Sequence, residues 1–263
     1  MEVILGRYEV LGTLGSGGTA QVLKVSDRVF SGRTVALKCS HSPTENLALA
    51  REFFSLRAAQ HANLPSIYDF HADLGDGRAA YALEWIHGET ADRLGPFSSP
   101  ETLLPILADL LHTLAHLHGL GLVHGDLHPQ NVIIPTAPQN PGRIRLLDLS
   151  PSGDPQVEHA ALPYLSPERL SGTAANPASD LFGLGVMAYR LLMGRLPYPD
   201  YPHIDEPITA QKHAELGVLE PLIVSLLSPM PTGRPSSARA ALRLLAKYTS
   251  TEIPLFTQGS VES

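Results

Sequence analysis

Cysteine is nearly absent: Cys39 stands alone among 263 residues, which excludes an internal disulfide framework and a thiolate zinc site and fits a reducing compartment. Its simplest role is that of a small buried hydrophobe. An excess of positive charge is also missing, because 19 Lys and Arg against 26 Asp and Glu leave a net charge of -7. That balance argues against a general binder of nucleic acid or of anionic membrane. No apolar run is clean enough to span a bilayer: the most apolar stretch, residues 103–122, is interrupted by Asp109, His112, His116 and His118 and is expected to be a buried helix. The opening MEVILGRYEV has too short an apolar run and too acidic a start for a secretory signal. A cytoplasmic location is therefore expected. Bulk disorder is not expected either, since 43% of residues are apolar and 17% charged, a balance that gives one large domain or two closely joined lobes.

What is there begins with alternation broken by glycine. Residues 8–38 carry YEVLGTLGSGG, AQVLKVSDR and, after a Ser31-Gly32 turn signal, TVALKCS, a pattern that predicts a meander of three strands. Residues 46–60 place Leu49, Phe53 and Leu56 at helical spacing, and two more strands are predicted at 67–70 and 79–85. From Gly88 onward long helical periods dominate, at 100–120, 178–193 and 236–248. Short strands at Val132 and Ile144 sit between the first two, joined by a Pro-rich hairpin over 135–143. The tail, 249–263, is poor in apolar residues and is expected to be a linker or disordered end.

Two constellations carry chemistry. Leu14-Gly15-Ser16-Gly17-Gly18 with Val22 forms a glycine-rich turn between strands, where missing Cβ atoms let backbone N–H groups approach phosphates. Lys38 then ends a hydrophobic strand, where a charge is rarely left without an anion to pair with it. In the second constellation Asp126 and Asn131 stand five residues apart on a loop after a long helix, a spacing that can place a general base and a metal ligand on one side of a cleft. Asp148 follows a strand and adds a second hard carboxylate oxygen of the type Mg²⁺ prefers.

The order of these motifs from Tyr8 to Tyr248 resembles the protein-kinase family. GSGGTAQV resembles the phosphate loop, VALK the VAIK strand, HGDLHPQN the HRDLKPEN loop, DLS at 148–150 the DFG triplet and SPE at 166–168 the APE motif. YLSPERL and LLMGRLPY look most like eukaryotic-type Ser/Thr kinases of bacteria. The resemblance implies a bilobal α+β fold, with an antiparallel sheet and one helix in an N-lobe over 1–86 and a mainly helical C-lobe over 88–248. It also implies Mg²⁺ and ATP as cofactors and a protein substrate with a Ser or Thr acceptor. By the same resemblance Lys38 would hold the α- and β-phosphates and Glu52 would pair with Lys38, Glu45 being the less suitable alternative. Asp126 would orient the hydroxyl or accept its proton, while Asn131 and Asp148 would bind metal. Leu83 takes the gatekeeper position, Glu84 and Ile86 offer hinge backbone groups to adenine, and Val22, Ala36 and Ile133 pack on its faces. Glu168 with Arg234, and Asp180 under the catalytic loop, are expected to be architectural, and His124 a packed core histidine.

Four positions depart from the family pattern. Gly125 replaces the arginine of HRD, His128 the lysine that neutralises the transferring phosphate, and Ser150 the DFG glycine, while Ala161 stands where a threonine is usual. HGDLHPQN is also close to the loop of aminoglycoside and choline phosphotransferases, so a small-molecule phosphotransferase is one alternative. A non-catalytic pseudokinase that acts as a binding module is the other. Short of acceptors and without the HRD arginine, the activation segment over 148–168 is expected to need no phosphorylation, which leaves control to a regulatory partner or an additional domain.

Overall fold

A computed structural model describes residues 2–136, 144–149, 162–198 and 214–249. The alternation near the start becomes an antiparallel ladder of β1 (Val3–Ile4), β2 (Tyr8–Ser16), β3 (Ala20–Asp27) and β4 (Arg33–Ser40), followed by α1 (Asn46–Ala59), β5 (Ile67–His71) and β6 (Ala80–Glu84). The six strands run in the order β1-β2-β3-β4-β6-β5. Period-two patterning gives the sheet two apolar faces. Leu23, Val25, Val35, Leu37, Cys39, Ala80 and Ala82 form a cluster on one side, and Ala20, Ala36, Tyr81 and Leu83 join the main core on the other. Cys39 is 1% exposed, the small buried hydrophobe expected of it.

The remainder comprises β7 (Gly88–Thr90), α2 (Ala91–Leu94), α3 (Pro100–Gly119), β8 (Val132–Pro135), β9 (Arg145–Leu146), α4 (Pro167–Leu170), α5 (Pro177–Met193), α6 (Glu220–Leu226) and α7 (Ala238–Thr249). In α3 the residues Leu103, Leu107, Leu110, Leu114 and Leu117 are fully buried, the 3.6-residue period that the sequence carries. The expected α+β layout, an antiparallel sheet with one helix followed by a helical region, is observed. Two strands were not foreseen. β1 is only two residues long and has no period to detect. β7 opens on Gly88, whose added Cβ would lie 2.5 Å from the carbonyl oxygen of Ile134. A glycine required by close strand approach looks, in sequence, like a strand breaker. Most of the expected Pro-rich hairpin, most of the tail, and Ser150 and Ala161 lie outside the described residues.

Helix α5 is the post on which the lower half is built. Asn176 caps it by accepting N–H bonds from Ala178 and Ser179 at 3.0 and 3.1 Å. Its two glycines are close-packing residues. A Cβ on Gly183 would meet the Leu127 carbonyl oxygen at 3.1 Å, and one on Gly185 the Leu226 Cβ at 2.8 Å. α5 therefore touches both the loop that carries Asp126 and helix α6. Asp180, 2% exposed, accepts the N–H groups of His124 and Gly125 at 2.9 Å each and contacts His118 Nε2 at 2.8 Å.

Arg234 fastens α4 to this post. Its side chain, with no exposed surface, donates to Glu168 Oε1 at 2.6 Å and Oε2 at 2.9 Å. It also reaches the carbonyls of Ala178, Ser228 and Pro229 and lies 4.9 Å from the Phe182 ring centroid. Every part of the guanidinium is used, so lysine is a poor replacement. Removing it strands a largely buried carboxylate and three carbonyls. Arg234→Ala is expected to cost about 3–5 kcal/mol in chemical denaturation, and Arg234→Lys is expected to recover only part of that loss. Wild-type stability in both variants would refute the architectural role.

Candidate active site

Lys38 is placed by strand periodicity: in β4 it shares the cleft face with Ala36, paired across to Val22 on β3 and Tyr81 on β6. Its Nζ donates to Glu52 Oε1 at 2.8 Å and to Asp148 Oδ1 at 2.6 Å. One ammonium thus joins β4, α1 and the segment after β9. The Lys38 and Glu52 side chains are 12% and 11% exposed, against 41% for Asp148. Burial alone would depress the Lys38 ammonium, but the Asp148 and Glu52 carboxylates outweigh it and hold its pKa well above the ordinary lysine value. Burial pushes Glu52 up to about 7, with the charge of Asp148 acting the same way and Lys38 opposing. Glu45, the alternative partner, is spent elsewhere: it accepts the Ser42 N–H at 2.6 Å at the start of the turn before α1.

The lower wall is the loop between α3 and β8. Asn131 Nδ2 donates to the backbone oxygen of Asp126 at 2.9 Å and to its Oδ2 at 3.2 Å. His128, 5% exposed, brings Nε2 to 3.4 Å from the same Oδ2. Burial favours the neutral Asp126 carboxyl, yet His128, then His124 and Asn131, hold its pKa below the ordinary value. His124 is fully buried; burial lowers its pKa. In its neutral form Nε2–H donates to the Leu147 carbonyl at 2.8 Å while Nδ1 accepts the Asp126 N–H at 3.3 Å. That ring couples the Asp126 loop to the strand leading into Asp148. The carbonyl of Asn131 accepts the Leu147 N–H at 2.8 Å and closes the same junction. Asp148 itself takes φ +56°, a left-handed conformation that aspartate tolerates better than most residues.

The glycine-rich turn closes the cleft from above. β2 ends at Ser16 and β3 begins at Ala20, and Leu14 is 42% exposed. A Cβ on Gly15 or Gly18 would meet nothing beyond its chain neighbours within 4 Å, so the space above the backbone is open to a ligand. Val22, Ala36 and Leu83 pack into the main core, Glu84 and Ile86 sit at the strand exit, and Ile133 pairs with Thr90 and Arg145 on the opposite wall.

Sequence reasoning did not single out His41 or Tyr81. His41 Nε2 lies 2.8 Å from the Gly17 carbonyl oxygen and 3.4 Å from Ser16 Oγ, at the tip of the glycine turn. Tyr81 is fully buried and its phenol is held well above the ordinary value, first by burial and then by the charge of Glu52. Strand registry is the one signal that could have found Tyr81, since it lies directly across from Lys38.

The profile of the family described as "Protein kinase domain" matches residues 8–247. The chain is similar to the serine/threonine-protein kinase pkn2 of Myxococcus xanthus, 32% identical over 266 residues that cover 94% of this chain and 31% of that protein. It is also similar to the DNA damage-responsive serine/threonine-protein kinase RqkA of Deinococcus radiodurans, 29% identical, with 93% of this chain and 40% of that protein covered. For the serine/threonine-protein kinase PrkC of Bacillus subtilis the identity is 30%, covering 74% and 32%. The chain thus spans between 31% and 40% of the length of these relatives. Because the profile match runs from the first residue of β2 into α7, it takes in every element that builds the cleft, and the chain belongs to the protein kinase family.

Proposed function

We propose that this domain transfers the γ-phosphate of Mg-ATP to serine or threonine hydroxyls of proteins. The observation that carries the reading is the ion triad of Lys38, Glu52 and Asp148, with the Asp126–Asn131 pair joined to the residue before Asp148 through the Asn131 carbonyl and His124. The donor set fits a magnesium nucleotide. Asp148 Oδ2 and Asn131 Oδ1 have no hydrogen-bond partner among the described residues, and both are hard oxygens of the type Mg²⁺ selects, so these two residues would hold the metal. Bound Mg-ATP supplies the phosphoryl group with its charge neutralised for in-line transfer.

The chain's residues do the remaining work. Lys38, held by Glu52, cradles phosphate oxygens. Among the described residues the N–H and carbonyl of Ile86 are unengaged and are available, with the Glu84 carbonyl, to an adenine edge between Val22, Ala36 and Ile133, beneath Leu83. Asp126, kept ionised, orients the acceptor hydroxyl and takes its proton, and His128 steadies that carboxylate from 3.4 Å. The α4 platform, locked by Glu168 and Arg234, favours a protein acceptor over a small alcohol. We take the kinase domain as 1–248, its lobes meeting near residue 87, and 249–263 as a tail or linker. A cytoplasmic location is part of the proposal; no described helix is long and apolar enough to cross a membrane.

Asp148→Asn is expected to weaken Mg-ATP affinity and its metal dependence in calorimetry. Asp126→Asn is expected to spare nucleotide binding but lower transfer by about 10²–10⁴-fold. Acceptors are to include a generic protein, an aminoglycoside and choline: transfer to small alcohols alone would replace this reading, and no transfer to any would leave a binding module.

Glu52 gives a pH signature. Its folded pKa of about 7 lies above its ordinary 4.5, so its contribution to stability is full below the lower value and is lost as pH rises through the upper one. Between those limits the nucleotide-free wild type is expected to lose stability relative to Glu52→Gln, by up to about 1.4 kcal/mol per pH unit. Parallel melting curves across the range would contradict the buried-carboxylate account.

A further inference from the structure

Peptide geometry around Asp126 shows an anchor that neither the family resemblance nor the proposed chemistry assigns. Arg169, in α4, donates from Nη1 to the carbonyl oxygen of Gly125. That carbonyl belongs to the peptide unit whose N–H is Asp126's own, and this N–H donates to His124 Nδ1 at 3.3 Å. Both polar ends of the plane that launches the Asp126 side chain are therefore held. The preceding unit is held as well, because Gly125 N–H donates to Asp180 at 2.9 Å. Gly125 has φ +78°, a conformation that an L side chain at this position adopts only with strain.

We propose that Arg169 is the positioning residue for Asp126, supplying from α4 the cation that the catalytic loop lacks at position 125. Two further observations support the assignment. Arg169 lines a small pocket together with Gly125, Asp126, Tyr164, Ser179 and Gly183, so its head is directed under the loop. Its neighbour Glu168 is clamped by both ends of the Arg234 guanidinium, which fixes the backbone from which Arg169 projects. A guanidinium that donates straight into the loop's own carbonyl needs no added phosphate to act as an anchor.

The activity part of the inference rests on the phosphotransfer reading, so the test pairs an activity readout with one that does not depend on it. In the full chain, Arg169→Ala is expected to lower kcat at least tenfold, roughly the equilibrium value of one charge-assisted hydrogen bond, with KM for ATP unchanged. Hydrogen exchange at the Asp126 and Leu127 amides is expected to accelerate by a similar factor while amides of α5 do not change. Arg169→Lys, which keeps one donor for one carbonyl, is expected to restore most of both. Phosphatase treatment of wild type is expected to leave its rate unaltered. Unchanged exchange and unchanged kcat in Arg169→Ala would overturn the assignment, and a large fall after phosphatase treatment would overturn its independence from modification. If wild type transfers phosphate to no acceptor, the proposed function fails, while exchange in the variants still decides whether Arg169 anchors the loop.

Discussion

A buried ammonium without carboxylates is among the least tolerable arrangements in a protein interior. Much of this structure follows from meeting that demand at Lys38. Glu52 has to arrive from α1, so α1 must lie against the sheet, and Phe53 and Leu56, both 2% exposed, hold it there. Asp148 has to arrive from the far wall, so the segment after β9 must turn back under the sheet. The ammonium is thus a tie between parts of the chain distant in sequence, with Asp148 much the more exposed of its two carboxylates.

Below the cleft side chains are committed to backbone groups instead. Asp180 gathers two backbone N–H groups, His124 bridges the loop to the Leu147 carbonyl, and Asn131 ties the Asp126 backbone. Each is a side chain spent on backbone, the cheapest way to fix a loop that cannot form a sheet or helix of its own. Glycine serves the arrangement by omission. Gly183 lets α5 come close to the loop that Asp180 holds, Gly185 lets α6 lie against α5, and Gly88 lets β7 lie against β8.

Much of this was legible in the residues. Alternation gave β2 to β4, the helical period gave α1, α3 and α5, and Lys38 at the end of an apolar strand announced a nearby anion. Glu52 over Glu45 followed from helix phase, and the geometry agrees. The meeting of Lys38 with Asp148, 110 positions away, was not foreseen, since no local period connects them and Asp148 was expected to face metal alone. Contacts between short loop segments were not legible at all. Arg169 reaching Gly125 and His41 reaching Gly17 each join short segments whose composition is ordinary. Their pairing is set by how α4 and β4 are aimed, which is a tertiary outcome.

Cys39 has a practical consequence of a different kind. It is packed behind the sheet on the face away from the cleft, and burial pushes its thiol up to about 11. At neutral pH it is both protonated and shielded, so a thiol-directed reagent reaches it only when the strands part. The lone cysteine is therefore a native clock for local opening of the N-terminal sheet. Its labelling rate reports how often that sheet breathes, without a tag, and separately from any unfolding confined to the helices below.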